Sequence, residues 1–437
     1  PDQECPPPPP SPPSFMGGGG DGADLLGEGG GRPEEADTSS LGVAVDDDSL
    51  DVDVHRIALR RGCAPCGSRT RAAGVVHPAK LAHDAPLPPR APPLGADELR
   101  RDGHIAPDGS YADPARLLSR VFAGGVAKDA RRTLWPLLLE VVPWEASTAQ
   151  QRKLRAERSR LYNKALRLWG SYDRRGGLAN CPHGSVAQYC RIIDVDVPRT
   201  DRQLERWKAP EALEPVRRLL LCHCAIDARM GYMQGMNDLA AVVLDAMEGD
   251  EADAFACFRA LLHRIEINFE DRQLGVWRQT SAVLAALQEL DPRLHKALTA
   301  SGAIADGGEC VFLFQPILLV LKRELYAYDH VCLAWEQWWA ASAPHAFDGA
   351  CVHFQLLLII AFLEMRRAEV LHNRSGVPGL LQIVNAAPGT LSCDELLSRA
   401  HSVHDLLRPH AKRTGSAAHA IFTADCLGGP RPQLGSV

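Results

Sequence analysis

The sequence predicts an all-α protein, and three observations support that prediction. Apolar residues recur at helical spacing almost throughout residues 97–407. Helix start and stop signals interrupt the pattern, as where Asp113-Pro114 precedes an apolar face and Gly124-Gly125 follows it. No convincing set of strands with period-two alternation is present in this region.

Each further helix is predicted from its own signals. Thr148 and Gln151 have the spacing of a capping box before one apolar face. Pro215 suits the first turn of a helix over residues 215–230, and Asn237 or Asp238 suits the cap of a helix reaching residue 247. Helices are also predicted over residues 252–265, 276–290, 311–325, 330–339, 352–366 and 393–407, with Pro316 bending or starting the third of these and Asn385 in the connection before the last.

Composition divides the chain of 437 residues into three parts. Residues 1–95 contain a proline run at 6–10 and a glycine run at 17–20, and they are expected to be disordered because such segments bury little apolar surface. Residues 96–410 form the predicted helical domain. Residues 411–437 are polar and are expected to form a flexible tail.

The bulk numbers argue against several classes of protein. A net charge of -6 and a pI of about 6.3 give no support for a nucleic-acid binder. Apolar runs fall short of the ~18 residues of a membrane span. Thirteen cysteines are scattered along a long chain, and most of them are predicted to be reduced, buried thiols of a cytosolic protein. The chain contains no GxxxxGK[ST] loop, GxSxG elbow or HExxH helix, so it is not expected to bind nucleotide by itself.

Some chemically suggestive residues have an ordinary structural explanation. Cys63 and Cys66 supply two ligands, whereas a closed zinc site needs four, so no metal site is predicted. Cys222-His223-Cys224 lies within a predicted helix, where residues two apart do not share a face, and packing is expected. Packing between helices is also predicted for four tryptophans: Trp135, Trp335, Trp338 and Trp339.

The stretch from Ile193 to Gln234 carries the functional signal. Pro198 disfavours helix at the residue before it, so Arg199 is predicted to lie at a break in the helical pattern. Gln234 precedes Gly235, a residue suited to a tight turn at the start of the next helix. Taken alone, an arginine near a helix end is usually a solvated charge and a glutamine before glycine a turn residue. Pattern reasoning by itself leaves the function open at this point.

Together the two segments resemble the TBC domain, the catalytic domain of most Rab GTPase-activating proteins. Its IxxDxxR motif stands here as Ile193, Asp196 and Arg199, and its YxQG motif as Tyr232, Gln234 and Gly235. Two positions depart from the common pattern, since Val242 stands where many members have proline and Gln315-Pro316 where many have Arg-Trp. The resemblance covers about residues 97–410, including Asp102-Gly103-His104-Ile105, Trp135-Pro136-Leu137-Leu138, Asn268-Phe269, Lys322-Arg323-Glu324-Leu325 and Trp335-Glu336.

The resemblance implies a two-lobed helical domain that activates a partner's hydrolysis and is not a stand-alone hydrolase. Arg199 and Gln234 would be the catalytic residues, inserted in trans into the nucleotide site of a GTP-bound Rab-family GTPase. Asp196 would orient Arg199, and the full supporting set would be Asp196, Tyr232, Gly235 and Asn237.

The same resemblance implies the partner, cofactors and location. The chain would hold no cofactor of its own, because the GTPase would carry Mg²⁺ and GTP. No nucleic acid is expected, and membrane association would be indirect, through the GTPase. The expected location is cytoplasmic, peripherally at endomembranes. The alternative is a non-catalytic Rab-binding scaffold or effector with the same fold.

Overall fold

Helices make up most of the chain that the computed structural model describes, namely residues 86–174, 184–269, 273–304, 310–345, 347–413 and 415–423. Within these ranges, strand-type pairing is confined to two isolated bridges, Leu94 with Val126 and Ile105 with Tyr111. The all-α prediction is confirmed for this part of the chain. The unit Pro1–Gly62 lies outside the described residues, and so do the proline run, the glycine run and the Cys63/Cys66 pair.

The helices follow in chain order. Their bounds are α1 Ala96–Arg101, α2 Pro114–Gly124, α3 Lys128–Leu138, α4 Thr148–Arg174, α5 Gly184–Asp196, α6 Pro210–Ile226, α7 Met236–Ala246, α8 Glu251–Arg264, α9 Leu274–Leu290, α10 Pro292–Ala300, α11 Val311–Leu318, α12 Lys322–Leu325, α13 Tyr328–Ser342, α14 Phe354–Met365, α15 Arg367–His372, α16 Gly376–Asn385, α17 Cys393–Leu407 and α18 Ala417–Phe422.

The helices pack in two groups, as the two-lobed expectation requires. Helices α4 to α8 contact one another, and helices α9 to α11 pack with α14 to α18. Helix α13 contacts α7 of the first group and α14 of the second, and it also packs against α2 and α3. The buried rings of Trp135 and Trp339 meet edge-on at the contact of α3 with α13, with centroids 4.8 Å apart. The tryptophans predicted to pack between helices are buried, which confirms that prediction.

The start of α2 follows its sequence signal, whereas the capping box of α4 lies one residue earlier than predicted. Asp113 accepts a hydrogen bond from the backbone N–H of Arg116 at 2.9 Å, as an N-cap does. For α4, the Ser147 N–H donates to Gln150 Oε1 at 2.8 Å, and the Gln150 N–H donates to Ser147 Oγ at 3.4 Å. These reciprocal bonds make Ser147 the cap and place Thr148 inside the helix.

Two helix starts were predicted too late. Helix α6 begins at Pro210, and Pro215 occupies its interior. Both prolines suit a first turn, and Pro210 follows the extended residue Ala209, so it takes that place. Helix α7 begins at Met236 with Gly235 as its N-cap, not Asn237 or Asp238.

The predicted helix over residues 311–325 is broken, although not at Pro316. Pro316 lies within α11, and the break falls at Val320 and Leu321, whose φ angles are +48° and +57°. Asn385, expected in a connection, is the last residue of α16. The sequence pattern also gave no sign of helix α18.

Two further predictions concern the burial of Cys222-His223-Cys224 and the length of apolar helices. Cys222, His223 and Cys224 are all buried. Burial raises the pKa of the Cys222 thiol to about 12 and lowers the pKa of His223 to about 4. Every helix in the described ranges falls short of the length or the apolar character that a bilayer crossing requires.

Candidate functional site

Arg199 lies in a short turn directly after α5. The helix ends at Asp196, and a 3₁₀ turn follows over Val197–Arg199. Val197 and Thr200 are buried on either side, whereas the side chain of Arg199 is exposed. The two buried residues therefore anchor a turn that presents the guanidinium to solvent. The prediction that Arg199 lies at a helix end is confirmed.

Gln234 lies in a second turn, between α6 and α7. Its neighbour Gly235 has a φ of +102°, a conformation that side chains rarely adopt. A Cβ atom at Gly235 would also lie 2.8 Å from Leu319 Cδ2, so glycine fits this position for two reasons. Tyr232 and Met236 are buried on either side, whereas Gln234 is exposed.

Hydrogen bonds between buried side chains join the two turns. The Tyr232 hydroxyl donates to Asp196 Oδ2 at 2.9 Å. The Asn237 amide donates from Nδ2 to Thr200 Oγ1 at 2.9 Å, and its Oδ1 accepts from the Gly235 N–H at 3.2 Å. Two hydrogen bonds therefore connect the end of α5 and the turn after it to the turn before α7 and the first turn of α7. The exposed side chains of Arg199 and Gln234 project from turns that are bonded to each other.

The environment of Tyr232 keeps this link intact at neutral pH. Burial, together with the neighbouring Asp196 carboxylate, raises the pKa of the Tyr232 hydroxyl above its ordinary value. The hydroxyl therefore stays protonated and can donate its hydrogen bond.

One residue of the supporting set, Asp196, has a different hydrogen-bond partner from the one that the resemblance implied. In the described part of the chain, the Asp196 carboxylate bonds to Tyr232 and not to the guanidinium of Arg199. Asp196 therefore fixes the end of α5 to Tyr232, and it does not hold the Arg199 guanidinium itself. Thr200 was missed by sequence reasoning, because nothing in the local pattern distinguishes a threonine that accepts a bond from Asn237, 37 residues away.

A cavity of about 710 Å³ opens beside the Arg199 turn, between α5 and α6. Its lining combines apolar residues with charged residues of both signs. The lining residues are Asp194, Val197, Pro198, Arg202, Trp207, Lys208, Pro210, Leu213, Glu214 and Arg217.

The two exposed side chains offer positioning and charge rather than covalent chemistry. The guanidinium of Arg199 is planar, permanently charged and able to donate two parallel hydrogen bonds. The carboxamide of Gln234 is neutral and carries both a donor and an acceptor. These are the properties that phosphoryl transfer requires of a protein, since it needs alignment and charge stabilisation.

The region that carries both turns matches a family of known proteins. Residues 128–371, more than half of the chain, match the family model of the Rab-GTPase-TBC domain. TBC1 domain family member 17 of Homo sapiens is 30% identical over 325 residues, which cover 73% of this chain and 47% of that protein. GTPase-activating protein GYP7 of Candida glabrata is 26% identical over 347 residues, covering 72% of this chain and 45% of that protein. The chain thus spans about half the length of the curated relatives it matches.

Solved structures show the same fold. The crystal structure of the Ypt/Rab-GAP domain of Gyp1p aligns with a TM-score of 0.58 at 18% identity, covering 70% of this chain and 98% of that one. The Chlamydomonas flagellar RabGAP TBC domain aligns with a TM-score of 0.53 at 17% identity, covering 70% and 92% of the two chains. With the motifs, the helical architecture and the family match all in one region, the chain belongs to the Rab-GTPase-TBC domain family.

Proposed function

We propose that this protein accelerates GTP hydrolysis by a Rab-family small GTPase in its GTP-bound form, with Arg199 and Gln234 supplied in trans as catalytic residues. One observation carries the proposal: both side chains are exposed on turns that Tyr232 and Asn237 bond together. Two side chains 35 residues apart thereby become available to a single partner site.

Arg199 would compensate the charge that develops on the phosphate oxygens. A GTPase alone compensates the charge at the leaving oxygen incompletely, and a guanidinium can donate to two oxygens at once. Arginine fingers supplied in trans accelerate hydrolysis about 10³- to 10⁵-fold. At ~1.36 kcal/mol per tenfold, this lowers the barrier by roughly 4 to 7 kcal/mol.

Gln234 would position the attacking water. Its carboxamide oxygen accepts a hydrogen bond from the water, and its N–H₂ group donates to a backbone or phosphate oxygen of the partner. Holding the water in line removes much of the orientational cost of the reaction. Neither side chain forms a covalent bond in this scheme.

The partner would bring the remaining parts of the reaction. Mg²⁺ and GTP belong to the GTPase, and this chain would add no cofactor. Contact with endomembranes would follow from a GTPase that is itself anchored there.

The first test is a single-turnover GTP hydrolysis assay on a panel of Rab proteins. On at least one of them, wild-type protein is expected to accelerate hydrolysis, and Arg199→Ala and Gln234→Ala are each expected to reduce that acceleration at least ~100-fold. Arg160→Ala and Gln288→Ala are matched controls, because both residues are exposed on helices of the same protein. Circular dichroism should show the same helix content in all variants.

Two results would contradict the proposal. Equal acceleration by wild type and Arg199→Ala on every responsive Rab would remove the arginine from the mechanism. Tight binding to a GTP-bound Rab without any acceleration would favour the non-catalytic scaffold instead.

A further inference from the structure

A buried ion cluster lies between the segments that carry Arg199 and Gln234. Its centre is Lys322, whose side chain is 2% exposed. The Lys322 ammonium lies 2.5 Å and 2.6 Å from the two carboxylate oxygens of Asp201. It also lies 3.8 Å from Asp238 Oδ1. Asp201 is two residues after Arg199 in sequence, and Asp238 is four residues after Gln234.

Neighbouring side chains fix both carboxylates further. The Tyr328 hydroxyl donates to Asp201 Oδ2 at 2.5 Å and accepts from Trp207 Nε1 at 2.8 Å. The Arg323 guanidinium donates from Nε to Asp238 Oδ2 at 2.7 Å. Two carboxylates therefore face two cations, and the cluster is balanced in charge. Burial without such pairing is costly, so each member depends on the others.

The backbone around the cluster is held in unusual conformations. Val320 and Leu321, directly before Lys322, have φ angles of +48° and +57°, and Asp201 has +42°. Positive φ is rare for a β-branched residue such as Val320. The Val320 carbonyl accepts from Trp335 Nε1 at 3.0 Å, and the Leu321 N–H donates to the Pro316 carbonyl at 2.8 Å. Surrounding contacts thus impose a strained turn that directs Lys322 into the cluster, and such strain concentrates at functional sites.

We propose that Lys322 is a positioning residue that fixes Arg199 and Gln234 relative to each other by holding Asp201 and Asp238 in one ion cluster. That Lys322 holds the two turns together is inferred from the structure alone. That this affects catalysis rests on the proposed function. Without the ammonium, two buried carboxylates would face each other at close range and repel. The Arg199 turn and the first turn of α7 would lose a shared anchor.

The mechanical consequence is tested on the free protein by amide hydrogen exchange. Lys322→Met alone leaves the buried Asp201 carboxylate without its cation and is expected to destabilise the fold. The informative variant is therefore Lys322→Met/Asp201→Asn, which removes both charges of the pair. Asp238 keeps its ion pair with Arg323 in this variant. Its exchange is expected to rise at least ~10-fold at residues 197–204 and 231–236, because fewer tertiary contacts then oppose local opening. The matched control is Arg367→Met/Asp291→Asn, which removes the buried Asp291 carboxylate and its arginine partner between α10 and α15.

The catalytic consequence is tested on a Rab that responds to wild-type protein. The double variant is expected to lower kcat at least ~10-fold with KM changed less than ~2-fold, because misplacement by about an ångström costs rate more than docking. Wild type should bind the GDP–aluminium fluoride form of that Rab more tightly than the GDP form. This form mimics the transition state, which Arg199 and Gln234 would contact. The variant should lose that preference, and the control should keep both properties.

The outcomes separate this inference from the proposed function. Unchanged exchange at both segments in a folded variant would overturn the role of Lys322, whatever the Rab assay shows. Increased exchange at both segments with an unchanged kcat would overturn its catalytic consequence. A wild-type protein inactive on every Rab would overturn the proposed function, and the exchange experiment would still decide whether Lys322 holds the two turns together.

Discussion

Gly235 holds its φ of +102° at the junction between Gln234 and α7, and its N–H bonds to Asn237 Oδ1 at 3.2 Å. The direction in which Gln234 projects is therefore set by a backbone that other residues adopt only with strain. The side chain of Leu319 closes the remaining space. The site therefore requires a residue without a side chain at Gly235 as well as the side chains of Arg199 and Gln234.

We predict that Gly235→Ala lowers the free energy of unfolding by ~1–2 kcal/mol, because a residue with a Cβ atom is strained at this φ. The new methyl group would also press on Leu319 and displace Gln234, so stimulated hydrolysis is expected to fall well beyond the loss of stability. Urea unfolding and the single-turnover assay measure the two effects separately.

The control for this substitution lies just beyond the other end of the same helix. Gly249 has a φ of +80°, and a methyl group placed there would have no neighbouring atom within 4 Å. Gly249→Ala should therefore lose similar stability while retaining hydrolysis. Equal rates for both variants would show that the conformation at Gly235 does not matter to Gln234.

Helix α6 carries a buried histidine that makes the free energy of unfolding of the protein depend on pH. His223 packs edge-on against Phe258, with ring centroids 5.9 Å apart. Burial lowers its pKa from 6.5 to about 4, so the unfolded chain takes up this proton first as the pH falls. Stability is therefore lost between about pH 6.5 and pH 4, by up to about 3 kcal/mol from this group.

We predict that His223→Leu removes this loss of stability, so that wild type loses stability relative to the variant as the pH falls over this range. Urea midpoints measured from pH 7.5 to pH 4 should fall more steeply for wild type than for the variant. His401, whose pKa burial also lowers to about 4, remains in both proteins and leaves a residual slope. Parallel curves would show that His223 is not buried in its neutral form.

Local signals predicted elements best where a single signal was unambiguous. The bounds of α17, Cys393–Leu407, agree with the prediction because a regular apolar face marks them. The start of α6 was missed because Pro210 and Pro215 carry the same local signal. The break at Val320 and Leu321 was missed because neither residue favours positive φ by itself, and contacts from α13 impose it.

Local signals also predicted some features of the candidate site and not others. Proline and glycine next to Arg199 and Gln234 predicted two turns at helix ends, and both are present. The contact between the turns was implied only by the family resemblance, because hydrogen bonds between residues 36 and 37 positions apart leave no periodic trace. Lys322 lies farther away still, 121 residues from Asp201, so its role emerges only in three dimensions.

At the scale of the whole molecule, the end of the described chain contributes to the core. Helix α18 packs against α9 and α14, and Ala418 and Ile421 are fully buried. The Ile421 carbonyl accepts from the His353 N–H at 3.0 Å, just before α14 begins. Residues 417–422 therefore belong to the second group of helices, although the sequence pattern placed them in a tail.

We predict that Ile421→Ala lowers the free energy of unfolding by about 2–5 kcal/mol, the usual range for truncating a buried isoleucine. Leu381→Ala is the control, since Leu381 is 38% exposed and its truncation should cost little. Urea unfolding of both variants gives the comparison. A neutral Ile421→Ala would mean that α18 is not part of the folded core.

The bond between Tyr232 and Asp196 has a consequence for how a partner would be chosen. Because the two turns are joined in the unbound protein, their ordering entropy is lost on folding and not again on association. Two turns that are joined before a partner arrives tolerate little error in how that partner docks. A GTPase whose phosphates sat an ångström away from the required position would dock normally and still gain little rate. Discrimination among GTPases would then be exerted partly in the chemical step, so affinity measurements alone would overestimate the range of true substrates.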